Sequence, residues 1–263
     1  MKPVQQIAAH TLRFIFLWVI SLQVAMSATP VKPILQVGTE GMFKPFNYFQ
    51  GPDLTGFEVE LGNAMADSMN VQFVWNPIQF DQLIQRLIAP ARGQKKIDII
   101  FSSLAITPER KKKVLFSNPH FCTGAVLISS QPMLTSISQM QGKTVGVGAG
   151  TTYLMQARKL KKLKGIQVLN SGMEGAELLK AGKIDFWIED LFATAEYIKK
   201  NPSSNLHIGD RIFEETVAIA VRPDQKELIG KINVALEKTM SDGTYLKLSQ
   251  KYFGHDVRCL PEK

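Results

Sequence analysis

The chain has 263 residues, with 31 lysines and arginines against 23 acids and a formal net charge of +8. Its cationic runs, "RKKK" (110–113) and "RKLKKLK" (158–164), carry no interleaved aromatics to stack bases, so nucleic acid is not an expected partner. Four histidines (His10, His120, His207, His255) and two cysteines show no metal-ligand spacing, so neither a metal nor a cofactor is expected.

Lys2 and Arg13 precede the apolar run "FIFLWVISLQVA", which leads to the small-residue exit "AMSA". This is the pattern of a secretory signal over residues 1–27, cleaved after Ser27 or Ala28. Twelve apolar-rich residues are short for a bilayer span. No cysteine follows the run to carry a lipid anchor, and no later segment is long and apolar enough to cross a membrane. The mature chain of about 236 residues keeps 29 basic against 23 acidic residues, a net charge of +6. Such a basic chain favours anionic surfaces. Export permits a Cys122–Cys259 disulfide, worth ~4–5 kcal/mol on the chain-entropy account. Two buried thiols are the alternative, and the sequence leaves that choice open.

In chain order, "ILQVGTE" (34–40) reads as a strand and "TGFEVELGNAMADSMN" (55–70) as a helix. The helix puts Phe57, Leu61, Ala64, Met65 and Met69 on one face, with Thr55 and Glu58 at capping-box spacing. The strand "VQFVW" (71–75), the helix "FDQLIQRLIA" (80–89) and the strand "IDIIF" (97–101) follow. This β-α-β-α-β order indicates a parallel α/β lobe. After residue 123 the pattern restarts, with strands "GAVLISS" (124–130) and "TVGVGAG" (144–150) and a helix from Thr151. The strand "IQVLN" (166–170), the helix "EGAELLKAG", the strand "IDFWIED" (184–190) and the helix "LFATAEYIKK" come next. The extended segment "ETVAIAVRPD" (215–224) and two helices, "KELIGKINVALEKTM" and "TYLKLSQKYF", close the chain. No linker or low-complexity tract separates the halves, so two closely joined lobes are expected.

Seven fragments occur in order: "VGTEGMFKPFNY", "LTGFEVELGNAMA", "FDQLI", "IDIIFSSLAITPERKKKVLFSNPHF", "GKTVGVGAGTT", "GKIDFWIED" and "DGTYLKLSQKYF". Together they resemble the periplasmic solute-binding proteins of polar amino-acid ABC transporters, family 3, from about Leu35 to Phe253. The resemblance implies an α/β, two-lobed periplasmic-binding-protein fold of type II, a "Venus flytrap" with two hinge strands. Lobe one would be 28–122 plus 220–263 and lobe two 126–216, with hinges near 123–125 and 217–219. Hinge closure around a ligand is a familiar mode of domain motion.

The same resemblance assigns a binding site. Arg110, whose guanidinium can make two parallel charge-assisted bonds, would hold the ligand carboxylate, with Thr152 contacting the same group. Ser102 and Ser103 would offer hydroxyl and backbone groups to the ligand head. Position 105 departs from the pattern, since most relatives carry Thr or Ser there. Ala105 offers only its amide, a loss of ~0.5–1.5 kcal/mol if nothing replaces the hydroxyl. Asp190 would accept the ligand ammonium, cap the helix that follows, or do both. Strand alternation lets only one of Glu189 and Asp190 face the cleft. Phe43 and Phe80 would sandwich the ligand side chain, although phenylalanines are ordinarily core residues. Glu40 stands where some relatives place an acid near the ligand's distal group, which favours a cationic or polar ligand. The glycines of "VGVGAGTT" are spaced G-x-G-x-G, and no acid follows until Glu174, so no dinucleotide site is expected.

The implied function is capture of a polar amino acid in the periplasm and delivery to an inner-membrane ABC permease, by a monomer without catalytic residues. One alternative is a dehydratase on the same scaffold, such as the periplasmic cyclohexadienyl dehydratases. Apolar Leu191, Phe192 and Ala193 occupy the place where its extra general acid would be sought. A ligand sensor is another.

Overall fold

A computed structural model of the chain describes residues 31–171 and 174–259. The signal sequence expected over 1–27 lies outside these residues. No helix among them is long and apolar enough to cross a membrane.

The described residues open with β1 (Ile34–Thr39) and a small antiparallel sheet of β2 (Met42–Phe43), β3 (Asn47–Gln50) and β4 (Asp53–Thr55). Helix α1 (Phe57–Ser68), β5 (Gln72–Pro77), α2 (Leu83–Ile88), β6 (Ile99–Ile100) and α3 (Pro108–Lys111) follow. A 15-residue strand, β7 (Leu115–Ser129), leads to β8 (Thr144–Gly148), α4 (Thr152–Ala157), β9 (Gly165–Leu169), α5 (Glu174–Lys180), β10 (Phe186–Asp190) and α6 (Leu191–Lys200). A second 15-residue strand, β11 (His207–Val221), returns to α7 (Lys226–Ser241) and α8 (Thr244–Phe253).

One eight-stranded sheet runs β5-β1-β6-β11-β7-β10-β8-β9. The flanks are parallel, β1 with β5 and β6, and β8 with β9 and β10. The long strands β7 and β11 lie antiparallel at its centre. Core residues divide on either side of them. One group joins Val37, Phe57, Leu61, Phe101 and Phe121 to Val217, Leu236 and Tyr245, with Leu83, Leu87 and Ile100 packed in a second cluster nearby in sequence. The other joins Ala125, Leu127, Val145, Phe186 and Ile188, with Val126, Leu179 and Trp187 in a companion cluster. Apolar burial at ~25 cal/mol per Å² gives each group its own cohesion.

The sequence reading of the elements holds, with three differences. The capping box at Thr55 does not form. Gly56 is the cap residue at φ 121°, and a Cβ there would sit 2.3 Å from the Phe46 carbonyl oxygen. Thr55 instead donates to Glu60, while Glu58 turns inward. The segments "GAVLISS" and "ETVAIAVRPD" cover only the C-terminal parts of two 15-residue strands, because β7 and β11 pair with each other as well as with the flanking sheets. Finally, the β2–β3–β4 sheet had no clear signal, being made of strands of two to four residues. The cysteine choice resolves to a disulfide: Cys122 and Cys259 are bonded across a sequence separation of 137 residues. The bond fastens the C-terminal segment to β7, where the Cys122 N–H also donates to the Val257 carbonyl at 3.1 Å. Closing so long a loop is worth ~4–5 kcal/mol on the chain-entropy account.

Candidate functional site

A cleft opens beyond the carboxyl ends of β1, β6, β8 and β10. This is where α/β sheets place ligands. Its walls come from both core groups: Glu40, Phe43, Phe80, Asp81, Ser103, Ala105 and Arg110 on one side, and Gly148, Ala149, Thr151, Thr152, Tyr153, Asn170, Ser171, Glu189 and Glu215 on the other. The walls approach closely at Gly150, which has φ +72° and where an added Cβ would lie 2.8 Å from the Asp81 Cα.

The cation of the cleft is fixed by local sequence. Thr107 caps α3, its hydroxyl accepting from the Arg110 N–H at 3.1 Å, and Pro108 sits in the first turn where no donor is needed. The buried Arg110 side chain donates from Nη1 to the Ala105 carbonyl (2.7 Å) and from Nη2 to the Gly150 carbonyl (3.1 Å). Its guanidinium lies 5.6 Å from the centre of the Phe80 ring, within cation–π range. Burial lowers the Arg110 pKa from its ordinary value, and Glu215 counteracts that fall.

Four carboxylates share the cleft with this one cation: Glu40, Asp81, Glu189 and Glu215. Burial, then the neighbouring Asp81, raises Glu40 to about 7. Glu189 is pushed up to about 8, mainly by burial, with Asp190, Glu40 and Glu215 adding repulsion and the Asp190 N–H, which donates to it at 2.9 Å, opposing. Burial also raises Glu215, against the pull of the Thr152 hydroxyl that donates to it and of Arg110. Like charges crowded into a low-dielectric space favour uptake of protons or of another cation.

The profile of the bacterial extracellular solute-binding proteins, family 3, matches residues 35–255. The chain belongs to this family. It is 34% identical over 239 residues to the L-arginine-binding protein of Pseudomonas aeruginosa, covering 86% of this chain and 90% of the relative. It is 31% identical over 228 residues to the L-cystine-binding protein TcyJ of Escherichia coli K12, covering 85% and 84% respectively. Among solved structures, an ancestral arginine-binding protein bound to arginine superposes with a TM-score of 0.79 at 33% identity, covering 85% of this chain and all of that one. The chain therefore has the two-lobed, type II fold of amino-acid-binding proteins of ABC transporters, and these relatives are binding proteins, not enzymes.

Seven of the nine residues singled out in this family 3 sequence line the cleft: Glu40, Phe43, Phe80, Ser103, Ala105, Arg110 and Thr152. Ser102 and Asp190 are not among the lining residues. The Ser102 hydroxyl is turned to the scaffold, accepting from the Glu40 N–H at 2.9 Å. Asp190 is bonded to the scaffold through both oxygens. One carboxylate oxygen caps α6 by accepting from the Ala193 N–H (2.8 Å), and the other accepts from the Thr123 hydroxyl. Burial raises Asp190 to about 7 despite these donors. Asp190 thus fills the cap role that the sequence offered it, and alternation along β10 places Glu189 among the lining residues. Ala105 contributes its carbonyl as an anchor for Arg110, and its amide was the group expected to act. The sequence reading missed Asp81, Tyr153 and Glu215. Glu215 left a trace in the sequence, since it falls in phase with the apolar stripe Val217, Ile219 and Val221 of β11, where a carboxylate has no packing role.

Proposed function

We propose that this family 3 protein captures an amino acid with a cationic side chain. The observation that carries the reading is the charge imbalance of the cleft, one guanidinium facing four carboxylates. Arg110 meets the α-carboxylate of the ligand, assisted by Thr152, whose hydroxyl exchanges Glu215 for the ligand. Glu189 accepts the α-ammonium, and Glu40 with Asp81 accepts the distal cation, between the rings of Phe43 and Phe80. A buried charge without a partner is expensive, so a ligand bringing two cationic centres and one anionic centre relieves the cleft more than a neutral zwitterion can. The relatives named for arginine support the reading.

The two lobes are 28–122 plus 220–263 and 126–216, and they close about 123–125 and 217–219. The register shift of β11 between Val217 and Ala218 supports a bend there, because bulges weaken a ladder locally and increase its twist. The protein works as a periplasmic monomer after loss of residues 1–27 and delivers its ligand to an inner-membrane ABC permease. Micromolar capture requires about −8 kcal/mol, an efficiency that for a molecule of about ten heavy atoms calls for enclosure from both sides.

Isothermal titration against the standard amino acids, ornithine and cystine tests the reading. Arginine, lysine, ornithine or histidine should bind tightest and aspartate and glutamate should not bind. A preference for an acidic or apolar amino acid would overturn it.

A further inference from the structure

Beneath the cleft wall, on the β6 side, lies a buried polar cluster that the ligand contacts do not use. Its centre is Glu58, in the first turn of α1 and fully buried. The carboxylate accepts the Ser103 N–H on both oxygens (2.7 and 3.0 Å) and the Ser103 hydroxyl at 2.9 Å. The Asn47 amide donates to it at 2.8 Å, and Nε2 of His120 lies 2.9 Å away. Each of these partners is itself held. The Asn47 side-chain oxygen accepts the Gly41 N–H at 2.9 Å. The His120 ring is wedged edge-on between Phe101 and Phe121, each with its centre 4.9 Å away.

Ser103 is the one member that also lines the cleft, and its backbone is left-handed, with φ +47°. A residue with a Cβ adopts that region only when its surroundings over-determine it. The three bonds from Glu58 are what over-determine it here. We propose that Glu58 is a positioning residue for ligand capture: aimed by Asn47 and His120, it holds Ser103 in the left-handed conformation that shapes the cleft wall beside Arg110. The assignment rests on the cleft being the ligand site.

Glutamine at position 58 would present one oxygen where Ser103 now finds two, and would turn an amide toward donors. A buried donor left without a partner is costly, so the Ser103 backbone would relax. Glycine at position 103 reaches the same φ with no Cβ to oppose it, so it no longer needs to be held. The experiment is a double-mutant cycle on the full mature chain, titrating L-arginine into wild type, Glu58→Gln, Ser103→Gly and the double variant, with melting temperature recorded in parallel. Glu58→Gln should weaken L-arginine binding at least tenfold against wild type, but less than threefold against the Ser103→Gly background. Equal losses in the two backgrounds would overturn the positioning role, as would lowered melting temperatures with unchanged affinity. If Glu58→Gln does not fold, His120→Leu replaces it, with about a threefold loss in wild type and none in the Ser103→Gly background. A wild-type chain that binds L-arginine while all variants bind within threefold of it sinks this assignment alone. A wild-type chain that takes up none sinks the cationic reading and this assignment together.

Discussion

Two strand ends face each other across the cleft, and each offers a pair of adjacent polar residues. After β6 come Ser102 and Ser103, and at the end of β10 come Glu189 and Asp190. In both pairs one residue lines the cleft and its neighbour belongs to the scaffold: Ser103 with Ser102, Glu189 with Asp190. At the β6 end the second residue of the pair faces the ligand space, whereas at β10 the first one does. The difference comes from where the next helix starts. A helix begins directly after Asp190 and takes its carboxylate as a cap, whereas α3 starts later and is capped by Thr107. The placement of a helix start therefore decides which carboxylate of β10 carries the cap.

The largest expected effect tests the scaffold half of the β10 pair. Asp190→Ala removes the α6 cap, at about 0.5–2 kcal/mol, and strips the Thr123 hydroxyl of its buried partner, at about 1–3 kcal/mol. Denaturant unfolding should show a loss of about 2–4 kcal/mol. A variant as stable as wild type that merely binds ligand poorly would reverse the division of roles drawn here.

The next effect is a dependence on pH. Glu189 is raised to about 8 and Glu40 to about 7, against an ordinary value of 4.5. Between these limits the ligand-free folded state holds protons that the unfolded chain has released. Linkage then makes stability fall with rising pH. The contribution is whole below about pH 4.5 and is lost as pH passes through 7 to 8. The slope should be about 2 kcal/mol per pH unit between about pH 5 and 7, read from denaturant midpoints without ligand. A cationic ligand replaces those protons, so its affinity should rise over the same range. A ligand-free chain that gains stability over that range would contradict the charge crowding.

Glu189→Gln sharpens the comparison further. It should weaken binding of a cationic amino acid about tenfold, which is about 1.4 kcal/mol, and flatten the pH slope without lowering stability at neutral pH. Titration calorimetry and unfolding of the same preparation check both halves of that expectation. Unchanged affinity would return the ammonium to Asp190.

Much of this was legible in the sequence, and the exceptions have physical reasons. Hydrophobic period and strand–helix alternation placed the flanking elements, because burial imposes those periods directly. Arg110 was readable only through the family resemblance of "SSLAIT" before it, and the helix start at Thr107 and Pro108 that fixes it went unread. The alternation of Glu189 and Asp190 was readable as well, but not its phase, which depends on how tightly α6 follows β10. Asp190 before an apolar helix carried the cap signal, and it caps α6. Glu58 looked like the second half of a capping box with Thr55, yet Gly56 holds the helix start through a close backbone approach that only the folded chain reveals. Glu215 and Asp81 reach the cleft through pairing of β11 with β7 and through the approach of the two walls at Gly150, both non-local events.

The smallest effect concerns Ser102, the scaffold member at the β6 end. Its hydroxyl accepts the Glu40 N–H, so it acts on the ligand only through the backbone of a cleft residue. Ser102→Ala leaves that N–H without its partner, a loss of about 1 kcal/mol in stability. Glu40 is one of two acids assigned to the distal cation, and Asp81 keeps its place when Glu40 drifts. Affinity for arginine should therefore fall only about twofold to threefold, while affinity for a neutral amino acid of similar length stays unchanged. Measuring the ratio of the two affinities separates this route from general loosening, which would weaken both alike. A loss matching that of Glu189→Gln would mean that Ser102 touches the ligand itself and that the two strand ends do not share one division of labour.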